Sequence, residues 1–256
     1  MTNSRAAARS PGTTVGPGRP RRRMAGKAFL ALLAVVCSVL AVSAARSAPS
    51  VVYSVDFSGF AGGSALKWLE SRGFVPKQDA SNSRRVVYSV AHDTLMLETK
   101  TRAFGLLLNE ADVRDYSRIR IEWGVDAFPP GASYEKGIRS EAVMVYVFFG
   151  KERHPSGSLF IPDSPYFIAL YLCESEATNQ PFTGRYHHAS GRFVCVDRPS
   201  PGTSVTTDFP IAETFTRIFG KDQAPDISGI GIAIDTANAK GGGVAKSFIR
   251  KIEFLK

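Results

Sequence analysis

From residue 51 onward the chain is a succession of short runs rich in Val, Ile, Phe and Tyr, separated by Gly, Pro, Asn, Asp and Ser. That alternation of β-branched or aromatic runs with turn formers is the signature of strands joined by turns. It predicts strands near Val51–Phe57, Arg85–Val90, Thr94–Thr99, Phe104–Asn109, Arg118–Phe128, Ala142–Phe149, Tyr166–Cys173, Phe193–Asp197, Ser204–Thr207, Ile227–Asp235 and Lys246–Phe254. In Arg118–Asp126 the residues Ile119, Ile121, Trp123 and Val125 fall on one side, with Arg118, Arg120, Glu122 and Asp126 on the other. Such a strand has one buried and one solvated face. Ala142–Phe149 is apolar on both faces and is expected to be central. Only two stretches carry helical spacing. One is short, near Ala65–Arg72; in the other, Pro210–Phe219, Ile211, Phe215, Ile218 and Phe219 share a face and Gly220 supplies a stop.

Strand-rich order without βαβ alternation predicts an all-β fold, an antiparallel β-sandwich of jelly-roll type with one or two short helices. Residues 49–256 are expected to form a single domain. Its longest loops, Pro129–Arg139, Gly150–Pro165 and Glu174–Gly191, are expected to be floppy and to carry the function.

Residues 1–48 read differently. Ala28–Ala45 is an apolar run preceded by Arg21, Arg22, Arg23 and Lys27 and followed by small residues, the pattern of a secretory signal peptide. Cleavage is expected after Ala44 or Ala45, with an uncleaved signal anchor as the alternative. Met24 offers a more compact start than Met1, upstream of which the chain is a Gly-, Pro- and Arg-rich extension. The expected location is outside the cytoplasm, periplasmic or secreted, or anchored to the membrane by the uncleaved segment, and this segment is expected to engage the membrane during export or as that anchor.

Charge then changes the picture of partners. The chain has 32 Lys and Arg against 23 Asp and Glu, a formal +9. Residues 1–48 hold eight of the basic residues and no acidic one, which leaves 24 against 23 in the rest. The excess belongs to the leader, so nucleic acid is not expected as a partner.

Cys173 and Cys195 are the cysteines of the exported part, placed at the end of one predicted strand and within another. An oxidising compartment permits a disulfide between them, on strands that a connecting loop would make antiparallel neighbours.

Catalytic signatures with fixed spacing are missing: there is no H-E-x-x-H, C-x-x-C, Walker A loop or G-x-S-x-G elbow. No cofactor is expected. Weaker constellations remain. Tyr134, Tyr166, Tyr171, Phe182 and Tyr186 bracket the long loops, where tyrosine faces stack on sugar rings or simply pack. Tyr186-His187-His188 is a candidate only for separate roles, since neighbours on extended backbone point apart. Asp235 and Asn238, in the turn after Ile227–Asp235, are the candidate ligands of a structural calcium; Asx-type capping uses the same residues. Asp56 and Glu253, on the first and last strands, could share a structural cation if those strands lie side by side.

Taken in order, Lys67-Trp68, Arg85-Val86-Val87-Tyr88, Thr94–Thr99 leading into Phe104-Gly105-Leu106, Ile121–Val125, Glu141–Phe149, Asp208-Phe209, Phe219-Gly220, Ile230–Thr236 with Asn238, and Ile249–Phe254 form a series. That series resembles the exported bacterial family called domain of unknown function 3047. The resemblance spans roughly residues 56–254. It implies an exported jelly roll similar to galactose-binding and carbohydrate-binding modules, with no assigned activity. Where the family has an acidic pair before the V-Y-V-F strand this chain has Ser140-Glu141, and the acid-rich turn after the I-A-I strand is reduced to Asp235 and Asn238. The expected function is non-catalytic binding of glycan or another cell-envelope ligand through Tyr134, Glu141, Tyr166 and Tyr186. The alternatives are a polysaccharide lyase or glycosidase with dispersed carboxylates such as Glu141, Asp126 and Asp235, or a structural envelope protein.

Overall fold

A computed structural model describes residues 49–256; the expected signal segment, the Met24 start and the apolar run 28–45 lie outside the described residues. The strands are β1 Val51–Asp56, β2 Phe74–Gln78, β3 Val86–Ala91, β4 Thr94–Thr99, β5 Phe104–Val113, β6 Arg118–Ala127, β7 Glu141–His154, β8 Ser164–Leu172, β9 Pro181–Phe182, β10 Gly191–Asp197, β11 Thr203–Phe209, β12 Ile227–Asp235 and β13 Ala245–Leu255. Two helices, α1 Ala65–Ser71 and α2 Ile211–Phe219, complete the described elements apart from one 3-10 turn at Asp79–Ser81. The fold is a β-sandwich of jelly-roll type. One sheet has the order β11-β6-β13-β4-β3, with β1 also paired to β13; the other runs β2-β5-β12-β7-β8-β10-β9.

Period-2 burial builds the core. Ile119, Ile121, Trp123 and Val125 of β6 face inward and are fully buried. They meet Val143, Val145, Val147 and Phe149 of β7 and Ile230, Ile232 and Ile234 of β12 within one continuous core. The indole N–H of Trp123 donates to Thr207 Oγ1 at 2.9 Å, and the Thr207 hydroxyl donates to Asp197 Oδ2, so the one polar atom of the largest core side chain is satisfied. α2 closes one end with its apolar face: Phe215 packs 4.5 Å from Phe149, and Gly220 ends the helix in the left-handed conformation.

Four expectations are corrected. β2 and β9 add to the predicted strands; the sequence does not signal them, because Phe74–Gln78 contains Pro76 and polar residues, and two residues carry no periodicity. A proline is tolerated in β2 because that strand lies at the sheet edge. β8 and β10 are parallel, with Phe193 opposite Ala169 and Cys195 opposite Tyr171. The 18-residue connection between them is long enough to return the chain to the starting end, and β9 is a hydrogen-bonded fragment of that return. Terminal strands β1 and β13 do pair, but Asp56 stands opposite Lys251 and Glu253 opposite Ser54. Asp56 accepts from Ser58, and Glu253 pairs with Lys251 and Arg120; Lys251 also faces Asp56, so a lysine ammonium supplies the positive charge beside both carboxylates where a metal cation was expected.

Candidate functional site

The seven-stranded sheet is apolar on its outer face as well. Met144 and Tyr146 of β7, Phe167, Ala169 and Tyr171 of β8, Phe193 and Cys195 of β10 and Ala233 of β12 form a second buried cluster, with Phe104, Leu106, Phe148 and Phe182 packed at its margin. A sheet with both faces apolar calls for cover on both. Here the cover is the β6–β7 loop and the β8–β10 connection.

The cover is held by carboxylates. Glu176, buried at 2% exposure, accepts from the backbone N–H groups of Tyr134 and Glu135 through Oε1 and from the Tyr171 hydroxyl through Oε2 at 2.9 Å. In return, Glu135 Oε1 accepts from the Ala177 N–H at 3.1 Å. The exchange laces one loop to the other and seats the Tyr134 ring on Phe193 and Tyr171, with centroids 4.9 and 5.1 Å away. Cys173 and Cys195 are joined in a disulfide directly beneath, tying β8 to β10. These two loops are therefore built parts of the sheet face rather than floppy connections.

Beside the covered part lies an acidic group. Asp235 on β12 is the cross-strand partner of Glu141 on β7 and of Phe104 on β5. Residues paired in this way point to the same face. Glu141 is 2% exposed and its Oε1 has no hydrogen-bond partner among the described residues. Burial, with the Glu176 and Asp235 carboxylates alongside, pushes its carboxyl well above the ordinary range. Asp235 is half-buried and accepts from the Ala237 N–H at 2.9 Å. Burial outweighs that hydrogen bond and raises its pKa to about 7. The hydroxyls of Tyr134, Tyr146 and Tyr171 are all raised, first by burial and then by these acids.

From this acidic group the exposed remainder of the face runs along β12. Gly229, Gly231 and Ala233 give β12 no side chain larger than a methyl here, and Leu106 and Leu108 of β5 line one side with Tyr146 and Phe148 of β7 on the other. These side chains lean in over Gly231: a Cβ there would lie 3.1 Å from Tyr146 Cβ and 3.2 Å from a methyl of each leucine, so any larger residue would have to push its neighbours aside by a few tenths of an ångström. The Tyr146 and Phe148 rings are nearly coplanar in orientation, 10° apart with centroids at 5.9 Å. Phe104, Leu106, Leu108 and Phe148 are only partly buried, so the strip is open to solvent.

The expected site residues are thus divided. Tyr134 and Glu141 belong to this face. Tyr166 does not: it packs on the inner side against Phe215, Phe219 and His154. Tyr186 stays in the β8–β10 connection with the Arg185 guanidinium over its ring at 5.5 Å, in neither cluster. Asp126 is exposed near the end of β6, on the other sheet. Asn238 is a fastener of the β6–β7 loop, donating from its side-chain amide to the Arg139 carbonyl at 3.1 Å and from its backbone to Ser140 Oγ at 3.2 Å. Among the described residues no three His, Cys, Asp or Glu side chains converge as metal ligands. Tyr146, Phe148, Leu106 and Leu108 are site residues that sequence reasoning missed, although a strand apolar on both faces beside a Gly-x-Gly-x-Ala strand was the signal. Glu176, one acidic residue in a polar loop, gave none.

The fold and this face define an all-β sandwich with one doubly apolar sheet. No family model matches the chain, and no curated protein does. Among solved structures, the Emp46p carbohydrate recognition domain in its potassium-bound form aligns over 81% of this chain and 98% of its own at TM-score 0.42 and 11% identity. The xyloglucanase domain of NopAA from Sinorhizobium fredii aligns over 72% and 95% at 0.39 and 11%. A xylan-binding module from Roseburia intestinalis aligns over 71% and 96% at 0.30 and 12%. No helix among the described residues is long and apolar enough to cross a membrane.

Proposed function

We propose that the protein is an exported, glycan-binding sandwich that takes its ligand on the outer face of the seven-stranded sheet, along the strip bordered by Leu106, Leu108, Tyr146 and Phe148. The observation that carries this reading is the strip itself. It is apolar and partly aromatic, open to solvent, and ends at Asp235 and at Glu141, whose Oε1 has no hydrogen-bond partner among the described residues. Pyranose rings present apolar C–H faces that pack on such side chains and hydroxyls that pair with carboxyls. The site thus moves from the loop tyrosines expected from sequence to the sheet face, keeping Glu141 at its edge and Tyr134 as cover. Export rests on the apolar, base-preceded run 28–45.

Affinity electrophoresis in gels containing plant and bacterial envelope polysaccharides tests the reading. Retardation by at least one polysaccharide is expected, falling at least fivefold in Phe148→Ala; migration unchanged in every polysaccharide overturns it.

A second reading, glycoside hydrolysis, is favoured by one observation, the direct pairing of Glu141 with Asp235. The pair sits at an irregularity of the β12–β7 register and sets two carboxyl side chains next to each other, the kind of group that glycoside hydrolysis uses. It requires the Tyr134 loop to lift, because Glu141 is covered. Reducing-sugar release that Glu141→Gln and Asp235→Asn each abolish would favour this reading over binding alone.

A further inference from the structure

The β7–β8 hairpin ends in a feature that neither the core nor the sheet face uses. Leu159 and Phe160 are 99% and 92% exposed, whereas the other large exposed apolar residues among those described lie between 38% and 51%. The tip is nevertheless built. The buried Ser156 hydroxyl donates its one proton to the Ile161 carbonyl at 2.6 Å, with the Ser158 carbonyl 3.0 Å away as the other acceptor within reach, and accepts from the Ser158 N–H at 3.1 Å. Ser158 Oγ accepts from the Phe160 N–H at 3.2 Å, and Asp163 Oδ1 accepts from the Ser156 N–H at 3.0 Å. Arg153 closes the base by donating to the Asp163 carbonyl at 2.7 Å. A local hydroxyl network therefore holds two adjacent large apolar side chains out in water, with their ordering cost already met before any partner arrives.

Charge around the base is mostly positive. Lys151 and Arg153 lie on the extension of β7, with Glu152 between them. The 185–192 segment is brought alongside by the His187 N–H, which donates to the Ser156 carbonyl at 2.8 Å. It adds Arg185 and Arg192, the latter donating to the His188 carbonyl at 2.7 Å. Beside the apolar tip the four basic residues outnumber the acids Glu152 and Asp163, a combination that matches the cross-section of an anionic lipid surface, with hydrocarbon beneath a layer of negative headgroups.

We propose that the Leu159–Phe160 tip inserts into the interface of an anionic lipid bilayer, with Lys151, Arg153, Arg185 and Arg192 on the headgroups. This docks the sandwich by its hairpin end, independently of the leader segment and of any glycan bound on the sheet face.

The test places the reporter at the tip, so that attachment through residues 1–48 cannot imitate the result. Phe160→Trp in the full chain is compared with the unaltered protein, whose own tryptophans are Trp123, fully buried, and Trp68, half-buried on α1, so that the difference between the two spectra reports the introduced indole. Vesicles are phosphatidylcholine alone, or an equimolar mixture with phosphatidylglycerol. With phosphatidylglycerol the emission of the introduced indole is expected to shift to the blue and to be quenched by brominated acyl chains. Both effects should weaken with added salt, as screening predicts. Leu159→Ser in the F160W background should lower partitioning at least about tenfold, as loss of one buried leucine implies, and the K151E/R185E pair should remove the preference for phosphatidylglycerol. Emission unchanged by anionic vesicles overturns the proposal. So does a blue shift that grows with protein concentration in the absence of lipid, which would make the tip a contact between copies of this chain.

Discussion

Asp235 shows at the residue scale how position overrides residue type. Its place at the end of β12 puts it opposite Glu141 on one side and Phe104 on the other, and burial raises its pKa to about 7. The unfolded chain releases this proton near pH 4, so between about pH 4 and 7 the folded protein binds the extra proton and folding stability falls as pH rises. About 2 to 4 kcal/mol is lost across that window. Asp235→Asn removes the group and should flatten that part of the curve: urea midpoints of variant and parent should converge near pH 4 and separate towards pH 8, with the variant the more stable. Thr207 tests a different accounting. Thr207→Val keeps the volume but leaves the Trp123 indole N–H buried with no acceptor, at a cost of about 1–3 kcal/mol. Equal unfolding free energies for parent and variant would remove Thr207 from the core's polar satisfaction.

Element by element, the strands that pattern made legible are those with one clear period. Thr94–Thr99 and Ile227–Asp235 match β4 and β12 to the residue, and Ala65–Arg72 and Pro210–Phe219 match α1 and α2 within a residue. Local steric and burial demands act within a few residues, and a strand's own sequence carries them. β2, β9 and the parallel pairing of β8 with β10 were not legible, because each depends on what lies beside the strand. Two consequences belong at this scale. Glu176→Ala frees the Tyr134 and Glu135 amides, so their hydrogen exchange should speed up at least tenfold while core amides of β7 and β12 keep their protection. The Cys173→Ser and Cys195→Ser double variant loses a bridge between positions 22 residues apart, a loop whose closure is worth about 3 kcal/mol. Its thermal midpoint should fall and become insensitive to reductant, whereas the parent's should drop on reduction.

At the scale of the whole molecule, length, composition and alternation were sufficient to determine an all-β sandwich with two short helices, and the charge count placed the basic excess in residues 1–48. Those are sums and periods, properties that survive without knowing which residues meet. The candidate site was legible only in fragments: Glu141, Asp235 and Tyr134 were named from loops and turns, while Tyr166, named as a ligand-binding tyrosine, lies against Phe215 and Phe219, and Asn238, named as a calcium ligand, hydrogen-bonds the Arg139 carbonyl. Only the tertiary structure decided that β12 lies between β5 and β7, and with it that Asp235 faces Glu141, that Gly231 sits beneath Leu106 and Leu108, and that Glu176 reaches the β6–β7 loop. Strand order in a sandwich is set by contacts between residues far apart in the chain, closed by loops whose sequences specify little. The chemistry of this face is a product of that order, since burial among elements from distant parts of the chain is what raises the Glu141 and Asp235 carboxyls.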